Sequence, residues 1–461
     1  MIQTKTFIST EEIRSNLEGP EPTWSQFDSI IKSIKKLKGL SLEEVKLLLR
    51  VRDETRRSAI LHLAGWVKDQ IYGKRIVLFA PLYLGNICSN NCLYCGFRKD
   101  NHSLVRRQLN QHEIAQETQE LIKEGHKRLM VLNGETDDVP LDYILESIKT
   151  IYAQSVGKNR IRRINLEIAP PDVEDFKKLA TVGIGTYVCF QETYDPDLYT
   201  RVHPSGPKSD YEWRLYAMDR AMAGGLEDVG IGALFGLGDW RFEVLAMFEH
   251  AHHLEKTFGC GPHTVSVPRL EPAEGAPLST QVPHPVSDED FKYLVALLRV
   301  SLPYVGIILS TREKPELRRE LFHYGVSQIS AGSRTNPGAY SGDCRATPQF
   351  SLGDHRSLAE VIDDLIDNDF VPSFCTGCYR RGRVGADFMD LAKPGLIQHY
   401  CLPNGLLSFQ EYLEDFAPQG LKQKGETHIL KITQELEKNS LKKRTQAGLQ
   451  KIKEGQRDVY Y

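Results

Sequence analysis

Eight short apolar segments, separated by stretches of helical period, constrain the fold of this chain more than any other feature. They span residues 76–83, 128–132, 164–168, 186–191, 229–235, 264–269, 306–310 and 328–331. Buried strands that alternate with helices predict a parallel sheet, because each parallel crossover needs a connection of helical size. Eight such units predict an α/β fold, a closed (β/α)8 TIM barrel. An open doubly wound sheet is the alternative that the pattern leaves.

Helical periodicity places the predicted helices between and around these strands. They span residues 111–124, 142–155, 172–181, 209–224, 241–257, 287–301, 314–323 and 356–368. A capping hydroxyl followed three residues later by a carboxylate marks three helix starts. The three pairs are Ser41 with Glu44, Ser209 with Glu212 and Ser287 with Asp290.

The strand pattern divides the chain into four predicted parts. Residues 1–72 form an N-terminal helical extension, residues 73–344 the barrel, and residues 345–420 a module with a later group of cysteines. Residues 421–461 are rich in Lys, Glu and Gln. A segment with so few large apolar residues predicts an exposed helix that frays at its end.

Charge and hydropathy narrow the compartment and the partners. The formal net charge is −3, so no basic field indicates a nucleic acid or an anionic membrane surface. The longest apolar run, residues 76–85, is too short to span a bilayer. The first residues lack the charged start and apolar stretch of a secretory signal. These features predict a cytoplasmic protein.

The chain contains nine cysteines. In a reducing cytosol, cysteines serve as metal ligands or small buried side chains more often than as disulfides. Six of them form two groups of three, and this grouping is the main clue to function. We interpret the remaining three, Cys189, Cys260 and Cys344, as small structural residues.

The first trio, Cys88, Cys92 and Cys95, follows the first predicted strand with the spacing CxxxCxxC. Three thiolates on one loop can bind three irons of a 4Fe–4S cubane, which leaves the fourth iron open to a small molecule. The loop follows the carboxyl end of a strand, where barrel active sites form. A zinc site completed by a histidine such as His102 is the alternative, although this spacing is unusual for zinc.

The spacing, with the aromatic Tyr94 before the third cysteine, resembles the signature of the radical S-adenosylmethionine (SAM) superfamily. The resemblance implies a radical SAM barrel in which the open iron binds the amino and carboxylate groups of SAM. One electron from the cluster then cleaves SAM to a 5′-deoxyadenosyl radical, so that the cofactor supplies the difficult chemistry.

Four further residues are candidate SAM contacts because of their places in the predicted strands. Gly134 and Glu135 end the second strand, where the superfamily has a Gly-Gly-Glu-like motif, although Asn133 replaces its first glycine. Glu167 lies in the third strand and Glu192 ends the fourth, and either can accept a hydrogen bond from SAM. A salt-bridged barrel carboxylate is the alternative for each.

The second trio consists of Cys375 and Cys378 in a CxxC pair and the distant Cys401. This pattern predicts a second cluster with one open iron. CxxC alone is a weak signal, and a zinc ribbon is the alternative.

The surroundings of this trio, and most of the rest of the chain, resemble the radical SAM tyrosine lyases of FeFe-hydrogenase maturation. The resemblance rests on residues 76–83, 190–194, 203–207, 268–272, 330–335, 375–380, 392–395 and 401–404. It implies cleavage of L-tyrosine at Cα–Cβ to p-cresol and a dehydroglycine-type fragment. That fragment becomes CO and cyanide on an iron at the auxiliary cluster, and the product feeds assembly of the hydrogenase H-cluster.

The resemblance also implies partners and a ligand. Cysteine would be a ligand of the auxiliary iron, ferredoxin or flavodoxin an electron donor, and other maturation proteins the recipients. His263, at the entry to the sixth strand, would bind the auxiliary iron, which places the two clusters at opposite mouths of the barrel. A histidine satisfied by backbone is the alternative. A packed barrel core would obstruct transfer of the fragment between the clusters.

Two arginines are candidates for the carboxylate of tyrosine. Arg269 and Arg312 end the sixth and seventh predicted strands on the SAM side, and a guanidinium fork suits a carboxylate. Ordinary ion pairing is the alternative for both.

Three other functions remain open. A thiamine-pathway tyrosine lyase (2-iminoacetate synthase) shares the radical step but lacks the second trio. A maturase paralogue could serve another metal centre, and a zinc-stabilised scaffold would have no redox chemistry.

Overall fold

A computed structural model of the chain describes residues 6–342, 346–436 and 438–461. Cys344, the boundary predicted at residues 344 and 345, and the first five residues considered for a secretory signal lie outside these ranges. In the part that is described, no helix is both long and apolar enough to cross a bilayer.

Within the described residues, eight parallel strands close into a barrel, which confirms the (β/α)8 prediction. The strands are β1 (Arg75–Gly85), β2 (Arg128–Asn133), β3 (Arg163–Glu167), β4 (Tyr187–Val188), β5 (Val229–Gly232), β6 (Thr264–Ser266), β7 (Gly306–Leu309) and β8 (Gln328–Ser330). Consecutive strands are neighbours, and β8 pairs with β1 to complete the ring. Their residues are almost all buried, as expected for strands covered by helices on one side and by barrel contents on the other.

Helices surround the barrel and extend it at both ends of the chain. They are α1 (Thr10–Leu17), α2 (Trp24–Ile34), α3 (Leu42–Leu49), α4 (Glu54–Tyr72), α5 (Gln111–Glu124), α6 (Leu141–Ala153), α7 (Val173–Thr181), α8 (Pro196–Val202), α9 (Tyr211–Leu215), α10 (Ala217–Ala223), α11 (Trp240–Phe258), α12 (Pro277–Thr280), α13 (Asp288–Ser301), α14 (Pro315–His323), α15 (Leu358–Asp367), α16 (Gly377–Arg380), α17 (Gly385–Ala392), α18 (Gln398–Asp415), α19 (Gln419–Glu435) and α20 (Asn439–Lys453).

The predicted helix caps at Ser41 and Ser287 are confirmed, because each side chain accepts a hydrogen bond from the backbone three residues on. The predicted cap at Ser209 is wrong. Asp210 caps α9 by accepting from the backbone of Trp213, while the Ser209 hydroxyl donates to Gly206. Asp and Ser are similarly good caps, so adjacent candidates cannot be separated by residue type.

A short strand, β9 (Val371–Ser373), pairs in parallel with the amino-terminal half of β1. The sequence does not predict it, because three residues that include Pro372 are too few for a strand pattern. Its register places Val371 beside Arg75 and Ser373 beside Val77. The second cysteine trio therefore follows a strand at the amino-terminal end of the barrel.

The described residues beyond 418 form two packed helices, α19 and α20, which corrects the expectation of one exposed, fraying helix. Ile429 and Ile432 of α19, with Leu449 and Ile452 of α20, are buried and pack with α18. Beyond α20, the backbone N–H of Tyr461 donates to the Asn404 side chain at 2.9 Å. A narrow apolar stripe was enough to dock helices whose overall composition is polar.

Candidate active site and auxiliary cavity

The first cysteine trio lies on the loop after β1, at the carboxyl ends of the barrel strands. Backbone hydrogen bonds fix this loop: Ser89 donates to Glu135 at 2.8 Å, and Leu93 donates to Val202 at 3.0 Å. One cavity contains all three thiols together with all four predicted SAM contacts. The cavity is lined by the three cysteines, by these four residues and also by Tyr94: Cys88, Cys92, Cys95, Gly134, Glu135, Glu167, Glu192 and Tyr94.

The donor set fits a cluster better than a single ion. A zinc ion would need its ligands about 2.0–2.3 Å away, and hence close to one another. Among the described residues, no three His, Cys, Asp or Glu side chains come together in that way. Thiols spread around one cavity fit separate irons of a cubane. Burial raises the pKa of Cys88 to about 11, so ligand binding at neutral pH would have to displace its proton.

Gly134 and Glu135 leave β2 directly beneath the cysteine loop. A Cβ at Gly134 would lie 2.1 Å from the Ile87 carbonyl oxygen, so only glycine allows the two loops to approach. The Glu135 carboxylate accepts from Arg214 at 2.9 Å and from Asn90 at 3.1 Å. Burial alone would raise its pKa, but the charge of Arg214 holds it below the ordinary value. Glu135 is therefore an ionised, oriented acceptor.

Glu167 and Glu192 face the same cavity but have different neighbours. Burial and the neighbouring Glu192 raise the pKa of Glu167 to about 7. Glu192 forms an ion pair with Lys208 at 2.7 Å and adopts a left-handed backbone, with φ of 69°. Such a conformation is strained for a residue with a side chain and is often retained at functional sites.

Tyr94 is buried between the cysteine cavity and the barrel interior. The Nδ1 of His203 faces the Tyr199 carbonyl at 2.9 Å and can only donate to it. The other ring nitrogen therefore accepts from the Tyr94 hydroxyl at 2.7 Å. This pair fixes the aromatic ring beside Cys95.

A second cavity, which we call the upper cavity, lies inside the barrel next to the first, toward the carboxyl ends of the strands. The two cavities share Tyr94, Cys95, Glu167 and Glu192. Apolar and small polar side chains form most of its wall. They include Phe79, Met130, Leu132, Phe190, Ile308, Ser266 and Ser330. An apolar cavity with a few convergent polar groups is typical of a small-molecule site.

Arg312 lines this upper cavity, whereas Arg269 does not. The Arg312 guanidinium stacks 3.4 Å from the Phe350 ring centre and forms no ion pair with a carboxylate of the described residues. Arg269 is occupied by Glu313 at 2.9 Å and Asp288 at 2.7 Å. The geometry therefore favours Arg312 for a substrate carboxylate and ordinary ion pairing for Arg269.

The second trio lies at the opposite end of the barrel. Cys375 follows β9, Cys378 lies in α16 and Cys401 lies in α18. All three line one cavity together with His263, Arg75 and Arg128. We call it the lower cavity. A hydrogen bond from Cys378 and the charge of Arg75 lower the pKa of Cys401 below that of an ordinary thiol, which favours the thiolate form that binds metals.

His263 faces Asp228, whose Oδ1 lies 3.5 Å from His263 Nδ1. Its ring also packs against Phe388, with ring centres 4.4 Å apart. A carboxylate beside one ring nitrogen orients the imidazole and leaves the other nitrogen for a metal. Burial lowers the pKa of His263 to about 4, so the imidazole is neutral, as a metal ligand must be.

Several buried polar atoms around this lower cavity lack hydrogen-bond partners. They include Arg75 Nε and Nη1, Arg128 Nε and Gln328 Oε1. Proteins seldom leave so many buried polar atoms unpaired in one place. The residues therefore fit a cavity whose polar contents, such as an iron–sulfur cluster, complete their contacts.

On β1 and β2, successive inward-facing residues line the lower and the upper cavity, with no further inward-facing residue between them. On β1, Val77 lines the lower cavity and Phe79 the upper one, and Arg128 and Met130 do the same on β2. Inward-facing residues two positions apart are about 6.6 Å apart along a strand. The barrel interior is therefore not filled by the three packed layers usual for this fold.

Sequence reasoning missed the cations that organise both ends. Lys208 lies outside the predicted strands and helices, and Arg214 lies in the predicted helix 209–224 without a predicted partner. Only the structure brings Lys208 to Glu192 and Arg214 to Glu135. Three further arginines could have been found from the sequence, because each stands at the start of a buried strand. They are Arg75, Arg128 and Arg163. Strands of a parallel barrel begin at the same rim, so three such arginines predict a basic ring there.

Cys189 and Cys260 are each 5% exposed and are free thiols. Neither lines the two cysteine cavities. Their positions agree with the interpretation as small structural residues.

Two family models match the chain. The radical SAM superfamily matches residues 82–251, and the biotin and thiamin synthesis associated domain matches residues 266–371. The 2-iminoacetate synthase of Salmonella typhimurium (strain LT2) is 32% identical over 71% of this chain and 84% of its own length. Cys375, Cys378 and Cys401 lie beyond both matched domains.

A solved structure of HydG, a maturase of the FeFe-hydrogenase, extends over the whole chain. It is 47% identical, covers 99% of this chain and 100% of its own, and superposes with a TM-score of 0.96. This chain belongs to the HydG family of radical SAM tyrosine lyases. The HydG structure from Carboxydothermus hydrogenoformans is 44% identical over 92% of this chain and 94% of its own, with a TM-score of 0.80.

Membership of the radical SAM superfamily implies a 4Fe–4S cluster and SAM as cofactors. In this HydG-family enzyme, the cavity at the carboxyl ends of the strands is the candidate site for both. The cavity at the amino-terminal end is the candidate site for an auxiliary cluster.

Proposed function

We propose that this HydG-family enzyme cleaves L-tyrosine at Cα–Cβ to p-cresol and a dehydroglycine-type fragment. The fragment is converted to CO and cyanide at the auxiliary site, which yields an iron carbonyl–cyanide precursor of the H-cluster. One observation carries the proposal: two cavities with three cysteines each lie at opposite ends of one barrel, with a mostly apolar cavity between them.

Cys88, Cys92 and Cys95 would hold the SAM-binding cluster, and Cys375, Cys378 and Cys401 the auxiliary cluster. When bound, the first cluster and SAM supply a 5′-deoxyadenosyl radical that abstracts hydrogen from tyrosine. Ionised Glu135 would accept a hydrogen bond from the SAM amino group, and Tyr94 and Gly134 form part of the cavity wall. Glu167 and Glu192 offer further acceptors to the ribose or amine.

Within the barrel, this chain's residues orient tyrosine and exclude water. The Arg312 fork binds the substrate carboxylate, and Phe79, Met130 and Ile308 form the apolar wall beneath it. Dry walls keep a reactive intermediate from side reactions. The fragment would pass from there to the lower cavity, which is lined by the next inward-facing residues of β1 and β2.

Arg312→Gln is expected to raise the KM for tyrosine by about tenfold or more, since hydrogen bonds to charged groups contribute about 1.5–3 kcal/mol each. Steady-state p-cresol formation by the reconstituted enzyme measures this effect. Arg269→Gln is the matched control and should leave KM near the wild-type value. A KM that rises in Arg269→Gln but not in Arg312→Gln would reverse the assignment.

His263→Ala is expected to lower the iron content at the auxiliary site without changing SAM cleavage, because the imidazole would bind the additional iron. Iron analysis and 5′-deoxyadenosine formation give the two readouts. His284→Ala, at an exposed loop histidine, is the control. An unchanged iron content in His263→Ala would contradict the role of His263 as an iron ligand.

A second candidate function is that of a 2-iminoacetate synthase, the thiamine-pathway lyase. The 32% identity to such an enzyme favours it, but it offers no role for the second trio. Anaerobic turnover with tyrosine separates the two, since only the proposed function yields metal-bound CO as well as p-cresol. A paralogue that serves another metal centre would differ in the recipient of the product.

The remaining partners follow from the same proposal. L-cysteine is a ligand of the auxiliary iron, a ferredoxin or flavodoxin donates the electron, and other hydrogenase maturation proteins receive the iron product. The cytoplasmic location stays a prediction from the sequence.

A further inference from the structure

Gln349 brings a polar side chain from outside the predicted strands and helices into the candidate active site. It lines both the cavity of the first cysteine trio and the upper cavity. Its amide nitrogen, Nε2, donates a hydrogen bond to the sulfur of Cys95 at 3.5 Å. Cys95 is the third cysteine of the CxxxCxxC loop, so the Gln349 amide directly contacts a candidate cluster ligand.

Tyr83 fixes which end of the Gln349 amide faces this sulfur. The Tyr83 hydroxyl donates to Gln349 Oε1 at 2.7 Å. Because the amide oxygen accepts this hydrogen bond, the NH2 group is the end that faces Cys95. The opposite orientation would place an acceptor oxygen against a thiolate, which can only accept when it is ionised.

The backbone of Gln349 is also attached to the cysteine loop. Its carbonyl accepts from the Gly96 N–H at 3.2 Å, and its own N–H donates to the Thr335 carbonyl at 2.9 Å. A Cβ at Gly96 would lie 2.6 Å from the Gln349 carbonyl oxygen, so the glycine after Cys95 allows this close approach. Contacts of the main chain and of the side chain therefore hold the amide at the sulfur.

We infer that Gln349 raises the reduction potential of the SAM-binding cluster through its hydrogen bond to Cys95. Hydrogen bonds to the sulfurs are among the features that set the potential of an iron–sulfur cluster. Reduction adds one electron from a donor such as a reduced ferredoxin or flavodoxin, and it makes the thiolate sulfurs more negative. An N–H donor stabilises that state more than the oxidised one.

This role goes beyond the proposed function. It rests on the first trio holding the 4Fe–4S cluster that membership of the radical SAM superfamily implies. It does not depend on the fate of the tyrosine fragment, and the test below contains no tyrosine.

Gln349→Met removes the donor and keeps a side chain of similar length. The reconstituted holoenzyme is reduced at a series of controlled potentials while electron paramagnetic resonance follows the reduced clusters. The signal that changes on addition of SAM belongs to the first cluster. The equilibrium constant for its one-electron reduction should fall about tenfold, which lowers the midpoint potential by about 59 mV. An unchanged midpoint potential at the wild-type iron content would overturn the inference.

Gln119→Met is the matched control. Gln119 lies in α5, donates to Gln154 at 3.0 Å and lines neither of the two cavities that Gln349 lines. Its midpoint potential should equal that of the wild type. An equal fall in Gln119→Met and Gln349→Met would show that the shift does not come from the bond to Cys95, and the inference would fail.

Tyr83→Phe is a second variant, which decides the test if Gln349→Met does not retain the cluster. It keeps the Gln349 amide but removes the hydroxyl that orients it. The midpoint potential should fall in the same direction, by less than in Gln349→Met. A wild-type potential in Tyr83→Phe would then contradict the role of Gln349.

Discussion

Cys88→Ala is expected to abolish p-cresol formation, with a loss of at least about three orders of magnitude in rate. Without Cys88, only two thiolates of the first trio remain. Two thiolates are too few to hold the cluster whose open iron would bind SAM. The reductive cleavage of SAM should disappear with p-cresol. Chromatography of 5′-deoxyadenosine and p-cresol after anaerobic turnover with tyrosine measures both.

Cys260→Ala is the matched control for this change, because Cys260 is buried outside both cysteine cavities. It should retain p-cresol formation. Persistent SAM cleavage in Cys88→Ala would contradict the role given to the first trio.

The second large effect is expected when Cys375→Ala and Cys378→Ala are combined. These changes remove two of three thiolates at the lower cavity and leave the SAM cavity intact, since the two lie at opposite ends of the barrel. The double variant should retain p-cresol formation, lose about half of the roughly eight irons expected for two clusters, and make no iron carbonyl product. Iron analysis and infrared spectroscopy are the measurements.

This double variant tests whether the two cavities act separately. The Cys88→Ala enzyme is its counterpart, with the opposite pattern of losses. If the double variant stopped tyrosine cleavage as completely as Cys88→Ala, the two cavities would not act separately.

The sequence predicts the barrel well because buried parallel strands are continuous apolar runs with helices between them. β1 and α5 agree with their predicted ranges almost residue by residue. β9 was missed because its three residues lack periodicity. The packing of α19 and α20 was missed because composition hides a narrow apolar stripe.

The residues of the candidate site were also predicted only in part. The cysteines could be found because ligand spacing along a chain is a local property. Lys208, Arg214 and Asp228 could not, because their roles depend on contacts made only in the folded barrel. The different surroundings of Arg269 and Arg312 could not be predicted either. Glu313 pairs with Arg269, whereas Arg312 faces the upper cavity.

Infrared spectroscopy of the reconstituted enzyme after turnover with carbon-13-labelled tyrosine tests the central claim most directly. We expect bands of metal-bound CO and cyanide that shift to lower frequency with the label, together with p-cresol. Formation of p-cresol without any metal-bound CO or cyanide band would contradict it and would favour a lyase that releases its fragment.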